Sequence, residues 1–198
     1  MEEYISKFKN RDLSWSSISS FEYDKENWYN KYILGKEQDE NEEMKFGKKF
    51  AKSIEDGTCE VKELLEKLQN KKEHKFKVVF NNIPMVGYTD AFCDKTFTKL
   101  DEVKTSKTMW TQNKVDTHGQ LDMYCLMNYI TNKIIPNDVD ITLYCLKTVQ
   151  NGDFSIELAK PIDMQIFKTK RTMMDIIKFG QRINNTYKEM LEYIITHS

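Results

Sequence analysis

The stretch that decides the fold is Val86-Gly87-Tyr88-Thr89-Asp90, followed further along the chain by Leu100-Asp101-Glu102-Val103-Lys104-Thr105. The residue types of both segments are typical of β-strands, and the short polar break between them predicts a hairpin. Residues two apart on a strand project to the same face, so Glu102 and Lys104 should lie side by side. Asp90 on the preceding strand should lie next to them across the hairpin.

Two carboxylates that converge near one ammonium group supply what a hard divalent cation and an attacking water require. Carboxylate oxygens bind Mg²⁺ or Mn²⁺. The metal lowers the pKa of a bound water and stabilises charge on a phosphoryl group, and Lys104 can orient that water. The alternative is a surface ion pair between Glu102 and Lys104, worth less than about 1 kcal/mol. Val103 indicates a buried strand face, and Gly87 allows close backbone approach ahead of Asp90, so both favour the metal site.

A predicted helix downstream carries Gln120 and Tyr124, which are four residues apart and therefore share one helix face. Taken alone, a tyrosine on an apolar helix face is usually a core residue. The interest of this pair lies in its position after the two strands.

In this order, the segments resemble the RecB-like branch of the PD-(D/E)XK nuclease superfamily. Its pattern is a Gly-x-x-Asp strand, an (Asp/Glu)-x-Lys strand and a helix with Gln-x-x-x-Tyr, matched here by Gly87 to Asp90, Glu102 to Lys104 and Gln120 to Tyr124. The stretch from Ser16 to Tyr32 looks like the serine-rich opening and Trp/Tyr helix of phage-type members. Phe46 to Phe50 resembles the glycine-led helix before the core. The resemblance covers most of the chain.

The resemblance implies an α/β fold with a restriction-endonuclease-like core, in which helices flank a central mixed β-sheet. It also implies a nuclease site in which Asp90 and Glu102 hold Mg²⁺ or Mn²⁺. Lys104 would position the attacking water, while Gln120 and Tyr124 would orient the lysine or contact the DNA backbone.

One position departs from the family pattern. Many RecB-like enzymes carry a metal-binding His four residues after the helix glycine, and here Gly47 is followed at that place by Ala51. Glu55 lies one turn further along the same helix face, and the family often keeps a Glu on this helix. Glu55 is therefore the candidate third metal ligand, and the alternative is a surface glutamate at the end of the helix.

The residue pattern along the whole chain predicts the order ααα-βββ-α-ββ-α. The expected helices cover 21–34, 44–56, 61–68, 114–133 and 172–195, and the expected strands cover 74–80, 83–93, 96–104, 139–149 and 154–158. Asn81-Asn82 predicts a tight hairpin turn. Because no linker or repeat interrupts this order, we expect residues 1–198 to form one domain.

Composition excludes several classes of protein. The chain is 39% hydrophobic and 12% aromatic, which argues against disorder. No apolar run approaches the roughly 18 residues of a membrane helix, and Met1-Glu2-Glu3-Tyr4 lacks the apolar region of a secretory signal. The four cysteines show no CxxC spacing, so no zinc or iron–sulfur site is expected. Together with the resemblance, this predicts a cytoplasmic protein of a bacterial or phage-infected cell.

The net charge of −1 hides local basic clusters. Residues 160–188 carry seven Lys or Arg against two Asp, and a second cluster is Lys45, Lys48, Lys49 and Lys52. These clusters would contact DNA phosphates, and such affinity should fall with salt. Near the predicted site, His118 is expected on the surface, and Trp110 is expected in the core rather than as a platform for a base.

The sequence thus predicts a Mg²⁺-dependent deoxyribonuclease, specifically a phage-type exonuclease of recombination or replication. The alternative is a catalytically silent nucleic-acid-binding or assembly module with the same fold. Ala51 favours that alternative, whereas the intact Asp90, Glu102 and Lys104 oppose it. A third reading is a nuclease subunit that needs a partner protein to hold DNA. The composition fits a monomer and a homo-oligomer equally.

Overall fold

The computed structural model describes residues 1–37 and 39–197, which form eight α-helices and six β-strands. The helices are α1 (Glu2–Lys9), α2 (Trp15–Tyr23), α3 (Lys25–Tyr32), α4 (Glu42–Glu55), α5 (Lys62–Lys67), α6 (Gln112–Asp116), α7 (Gly119–Asn132) and α8 (Met173–His197). The strands are β1 (Lys71–Phe80), β2 (Ile83–Phe92), β3 (Lys99–Ser106), β4 (Asp140–Gln150), β5 (Ile156–Leu158) and β6 (Met164–Thr169). A 3₁₀ turn, Pro136–Asp138, precedes β4.

The described strands form one mixed sheet. β1, β2 and β3 pair antiparallel, β3 pairs parallel with β4, and both β5 and β6 pair antiparallel with β4. Parallel neighbours need a long connection, and the chain between β3 and β4 makes it through α6 and α7. The predicted α/β fold with a central mixed sheet and flanking helices is confirmed.

Local sequence explains the first hairpin. Asn81 and Asn82 both adopt left-handed backbone conformations, with φ of 48° and 63°, between the paired Phe80 and Ile83. A two-residue loop of this kind matches the twist of the strands, and asparagine tolerates it well. The predicted turn is therefore confirmed.

The core lies on both faces of the sheet. Alternate residues of β4 point in opposite directions, so Leu143 and Cys145 join the apolar cluster of α7 and α8. Tyr144 and Leu146 join a second apolar cluster, built by α4 and α5. In the first cluster Trp28 is fully buried, and its indole N–H donates to Ser17 Oγ at 3.0 Å. The sheet is thus covered by helices on both sides.

Several predicted boundaries are wrong. The helix expected over 21–34 is two helices, because Asp24 ends α2 and its carboxylate caps α3 by accepting from Asn27 N–H at 2.9 Å. The helix expected over 114–133 breaks before Gly119 into α6 and α7. The strand expected to begin at 96 begins at Lys99, after Phe97 takes a left-handed turn conformation.

Two elements, α1 and β6, have no counterpart in the prediction. In α1 only Phe8 is buried, and β6 is held mainly by backbone pairing with β4, because its side chains are exposed or half-buried. The strand β6 therefore lacks an apolar period, whereas α1 is a short helix whose Tyr4, Ile5 and Phe8 pack against the core. No helix within the described ranges is long and apolar enough to cross a membrane.

Candidate active site

The candidate site lies where β2 and β3 separate. Backbone pairing between these strands joins Ala91 to Asp101 and Phe92 to Leu100, and in the direction of Asp90 it stops there. Beyond that point Asp90 Oδ2 accepts a hydrogen bond from the Val103 N–H at 2.6 Å. The Asp90 carboxylate thus accepts the hydrogen bond from β3 that a backbone carbonyl would accept in a paired strand. This bond anchors Asp90 at the opening between the strands.

Glu102 and Lys104 form an ion pair at this opening. Lys104 Nζ donates to Glu102 Oε1 at 2.6 Å and to Gln120 Oε1 at 2.8 Å. The Glu102 side chain is only 3% exposed and that of Lys104 is 26% exposed. The pair is therefore not the solvated surface ion pair that was the alternative interpretation of the sequence. Asp101 faces elsewhere and accepts from Gln69 N–H at 2.8 Å, so it stands apart from the site.

The second carboxylate oxygen of Glu102 has no partner. Its Oε2 is buried and lacks a hydrogen bond from any residue in the described part of the chain. Leaving a buried charged oxygen unpaired is costly, so such atoms normally meet a proton, a cation or a donor. Glu102 lines the same cavity as Asp90. The two carboxylates therefore fit a hard, oxygen-binding cation such as Mg²⁺.

Burial and mutual charge shift the pKa values of all three ionisable groups at the site. Burial, with the neighbouring charge of Asp90, raises the pKa of Glu102 to about 8 against the opposing effect of Lys104. Burial also raises the pKa of Asp90, and the Lys104 charge opposes that rise. Burial alone would lower the pKa of Lys104, but Glu102 and Asp90 raise it above its ordinary value. Two carboxylates share one ammonium, and a further cation would relieve their repulsion.

Gln120 and Tyr124 are brought to Lys104, as predicted. Gln120 Nε2 donates to Tyr124 Oη at 2.6 Å, while the Tyr124 hydroxyl donates to the carbonyl of Tyr88. Burial raises the pKa of Tyr124 well above its usual value, so the hydroxyl stays protonated. A Cβ on Gly87 would lie 3.0 Å from the Tyr124 ring, so the glycine lets this helix approach β2. The buried tyrosine thus fixes the glutamine that holds Lys104.

His118 is half-buried and contacts Gln120, so it lies at the rim of the site rather than merely on the surface. Its ring packs edge-on against Trp110 and Trp15, with centroid distances of 4.8 and 5.8 Å. His118 Nε2 lies 3.2 Å from Gln120 Oε1. Burial, aided by the charge of Lys104, lowers the pKa of His118 to about 4, so the ring is neutral near pH 7 and can donate to Gln120. Trp110 packs partly buried against the core.

Arg171 belongs to the basic cluster expected to contact phosphates, but the structure buries it. Only 2% of its side chain is exposed, and it forms an ion pair with Asp122. It also donates to the carbonyls of Val115 at 3.0 Å and His118 at 3.4 Å. Arg171 therefore fixes the connection between α6 and α7, which carries His118. The sequence does not distinguish this buried arginine from the exposed basic residues around it.

The other basic residues are partly engaged as well. Arg182 forms an ion pair with Glu22. In the second cluster, Lys45 pairs with Glu42 at 2.7 Å and Lys48 pairs with Glu40. Because these ion pairs are weak and exposed to solvent, a phosphate could displace the glutamates from the lysines.

Glu55, the predicted third ligand, lies at the last residue of α4. Its carboxylate pairs with Lys52 at 2.7 Å and contacts Glu73 of β1, whose pKa is raised by burial and by Glu55. Among residues 1–37 and 39–197, no three His, Cys, Asp or Glu side chains form a group that could hold a metal ion. The structure therefore does not bring Glu55 together with Asp90 and Glu102.

A cavity of about 570 Å³ opens over the carboxylates. It is bounded on one side by α4, including Gly47 and Ala51, and on the other by Asp90, Glu102 and Lys104. A Cβ on Gly47 would lie 3.6 Å from Thr105 of β3, so α4 runs close to the sheet here. Ala51 contributes only a methyl group to the lining of this cavity.

Comparisons with known proteins bear on the fold. No family model matches the chain, and no curated protein matches it. A presumptive exonuclease from Eubacterium rectale superposes with a TM-score of 0.61 at 11% identity, over 100% of this chain and 86% of that one. A phage-related exonuclease from Haemophilus somnus 129PT gives 0.54 at 11% identity, over 98% and 94%.

The alkaline exonuclease LHK-Exo from Laribacter hongkongensis is similar as well. Its TM-score is 0.51 at 12% identity, and the match covers 99% of this chain and 97% of that one. Identities this low show the fold alone. The chain therefore shares with these exonucleases the α/β fold, as the resemblance of its sequence predicts.

Proposed function

We propose that the chain is a metal-dependent nuclease that hydrolyses DNA phosphodiester bonds. The observation that carries the proposal is the buried, unpartnered Oε2 of Glu102, which lies in one cavity with Asp90 while the other oxygen of Glu102 binds Lys104. A structural ion pair needs one carboxylate for one lysine, whereas here the buried Glu102 and the half-buried Asp90 converge on Lys104, and breaking up such a set is costly. A site that binds a divalent cation and a phosphate requires this arrangement.

Asp90 and Glu102 would hold Mg²⁺ or Mn²⁺, whereas Glu55, which the sequence suggests as a third ligand, pairs with Lys52 and stands apart from them. A bound metal ion supplies an acidified water and neutralises charge on the phosphoryl group. Lys104 lies next to Glu102 and is partly open to the cavity, so it can orient a water and stabilise developing negative charge.

Gln120 acts on Lys104 rather than on the phosphate. Its amide oxygen accepts from Lys104 and faces His118, while its amide nitrogen donates to Tyr124. These partners fix which end of the amide faces the lysine. Because Tyr124 is itself tied to the Tyr88 carbonyl, the chain of bonds holds the ammonium in one place.

The proposal also includes that the substrate is DNA and that the chain cleaves it from an end, as an exonuclease. The structural neighbours are named as exonucleases, and LHK-Exo also crystallised with dAMP, a deoxynucleoside monophosphate (TM-score 0.52, 13% identity, covering 98% of this chain and 96% of that one). We extend this chemistry to the present chain, and we include a role in phage-type recombination or replication on the same grounds. Binding of partner proteins would be part of that role.

The silent binding module remains the second candidate. Ala51 removes the usual ligand position, and Glu55 stands apart from the other two carboxylates. A chain that binds DNA without cleaving it would fit these two observations.

Cleavage of end-labelled linear and closed circular DNA with Mg²⁺ or Mn²⁺ tests the proposal. We expect metal-dependent loss of the linear substrate and none of the circle, with Lys104→Ala inactive. Lys99→Ala is the matched control, because Lys99 lies on the same strand but is exposed and outside the cavity. DNA binding without cleavage, unchanged in Lys104→Ala, would favour the silent module.

A further inference from the structure

An exposed aromatic ring stands at the mouth of the candidate active site. Tyr88 is 46% exposed and lines the cavity that contains Glu102 and Lys104. It also lines an adjoining cavity of about 570 Å³ that Asp90 shares. Its neighbours Gly87 and Thr89 are buried, so the alternation of β2 turns the Tyr88 ring away from α7 and toward solvent.

The backbone beneath this ring is fixed. The carbonyl of Tyr88 accepts the hydroxyl of Tyr124, which is tied through Gln120 to Lys104. The ring therefore projects from a rigid strand that is connected to the catalytic lysine by three hydrogen bonds. Because the backbone that carries the ring is already fixed, stacking of a ligand on the ring costs the protein little conformational entropy.

The ammonium group of Lys75 lies over one face of the Tyr88 ring, in a cation–π contact that leaves the other face for a base. Lys75 is the residue directly opposite Tyr88 in the β1–β2 register, and its Nζ lies 5.5 Å from the ring centroid. Lys75 is exposed and has no ion pair with any residue that the structure describes. It can therefore bind a phosphate without first breaking a salt bridge.

We propose that Tyr88 and Lys75 form a nucleotide subsite, in which Tyr88 stacks on an unpaired base next to the scissile phosphate and Lys75 binds a flanking phosphate. The inference rests on the proposed nuclease function and names its substrate class as DNA with a single-stranded end. A base within a duplex already stacks on both neighbours, whereas an unpaired base offers a free face to an aromatic ring. The adjoining cavity is lined by the apolar Ala51 and Ile54, and its Glu55 is already paired with Lys52, so that side can receive the uncharged base.

Binding in EDTA tests the subsite without any cleavage. The probe is a short single-stranded oligonucleotide with 2-aminopurine near one end, because stacking quenches its fluorescence, and the same sequence as a blunt duplex is the comparison. Tyr88→Ala should weaken single-strand binding about 10-fold and abolish the quenching, since stacking on one aromatic ring contributes at this level. Tyr88→Phe should bind within about twofold of the parent, because it keeps the ring.

Two further variants separate the ring from the charge. Tyr23→Ala removes a tyrosine that is 93% exposed elsewhere on the surface, and it should change nothing. Lys75→Ala should weaken binding and lower the dependence of log affinity on log salt by about one.

The outcomes distinguish this subsite from the nuclease function itself. Equal single-strand affinities for the parent, Tyr88→Ala and Tyr88→Phe would overturn the subsite even if the protein cleaves DNA. If Tyr88→Ala lost the same affinity for the single strand as for the duplex, the preference for unpaired bases would be overturned. Absence of single-strand binding by the parent would also overturn it. Tyr88-dependent quenching would support the subsite even if no cleavage is found.

Discussion

Replacing the buried carboxylate of Glu102 should change how the stability of the metal-free protein depends on pH. The pKa of Glu102 is raised from an ordinary 4.5 to about 8. An acid with a raised folded-state pKa keeps its proton while the unfolded chain loses it. The contribution of Glu102 to the free energy of unfolding is therefore fully present below about pH 4.5 and is lost as the pH rises toward 8.

The size of this loss follows from the same values. The difference between 4.5 and about 8, at 1.36 kcal/mol for each pKa unit, gives a ceiling of about 5 kcal/mol. The partial exposure of Lys104 and relaxation of the side chains reduce this, so we expect a loss of about 2–3 kcal/mol for the parent between pH 5 and pH 8. Glu102→Gln, which has no proton to lose, should show little of it.

Urea unfolding in EDTA across this pH range measures the effect. Glu55→Gln is the control, because the Glu55 carboxylate is exposed and should leave the parent's pH profile intact. Adding Mg²⁺ at pH 8 should restore stability to the parent and not to Glu102→Gln. Parallel pH profiles for the parent and Glu102→Gln would refute the view that Glu102 is a strained, buried carboxylate.

Three other substitutions follow from the packing around the site. Gly87→Ala should lower the free energy of unfolding by about 1–3 kcal/mol and reduce cleavage, because its Cβ would press on Tyr124, as thermal melting and a cleavage assay would show. Arg171→Met should cost about 3 kcal/mol in urea unfolding, since it leaves a carboxylate without its buried partner. Gln120→Ala should lower kcat about 10-fold with little change in KM, because it frees Lys104 to move rather than weakening DNA binding.

Each of these expectations has a result that contradicts it. An unchanged melting temperature for Gly87→Ala would mean that α7 moves away freely. A small loss for Arg171→Met would mean that the arginine does not fix the loop before α7. A change in KM alone for Gln120→Ala would mean that the glutamine contacts DNA.

The parts of the site that could be predicted are those governed by local spacing. The alternation of β2 and β3 brought Asp90 to the Val103 N–H and Glu102 to Lys104, as the hairpin predicts. The four-residue spacing of Gln120 and Tyr124 likewise placed both on the helix face that meets the lysine.

The parts that failed depend on contacts between distant segments. His118 is half-buried and packs against Trp15, which lies far away in the chain, so no local pattern reveals its environment. A Cβ on Gly119 would clash with the same Trp15, a constraint equally invisible in the sequence. The strand β6 escapes prediction because backbone pairing, rather than an apolar period, holds it. The position of Glu55 depends on where α4 crosses the sheet, which its helical spacing alone does not determine.

The central claim is that Asp90 and Glu102 hold a divalent cation. Isothermal titration of Mn²⁺ into the parent, Asp90→Asn and Glu102→Gln tests it directly, in the absence of DNA. The account predicts that the parent binds the cation and that both variants lose this binding while remaining folded. Absence of Mn²⁺ binding by the parent, or equal binding by all three proteins, would contradict it.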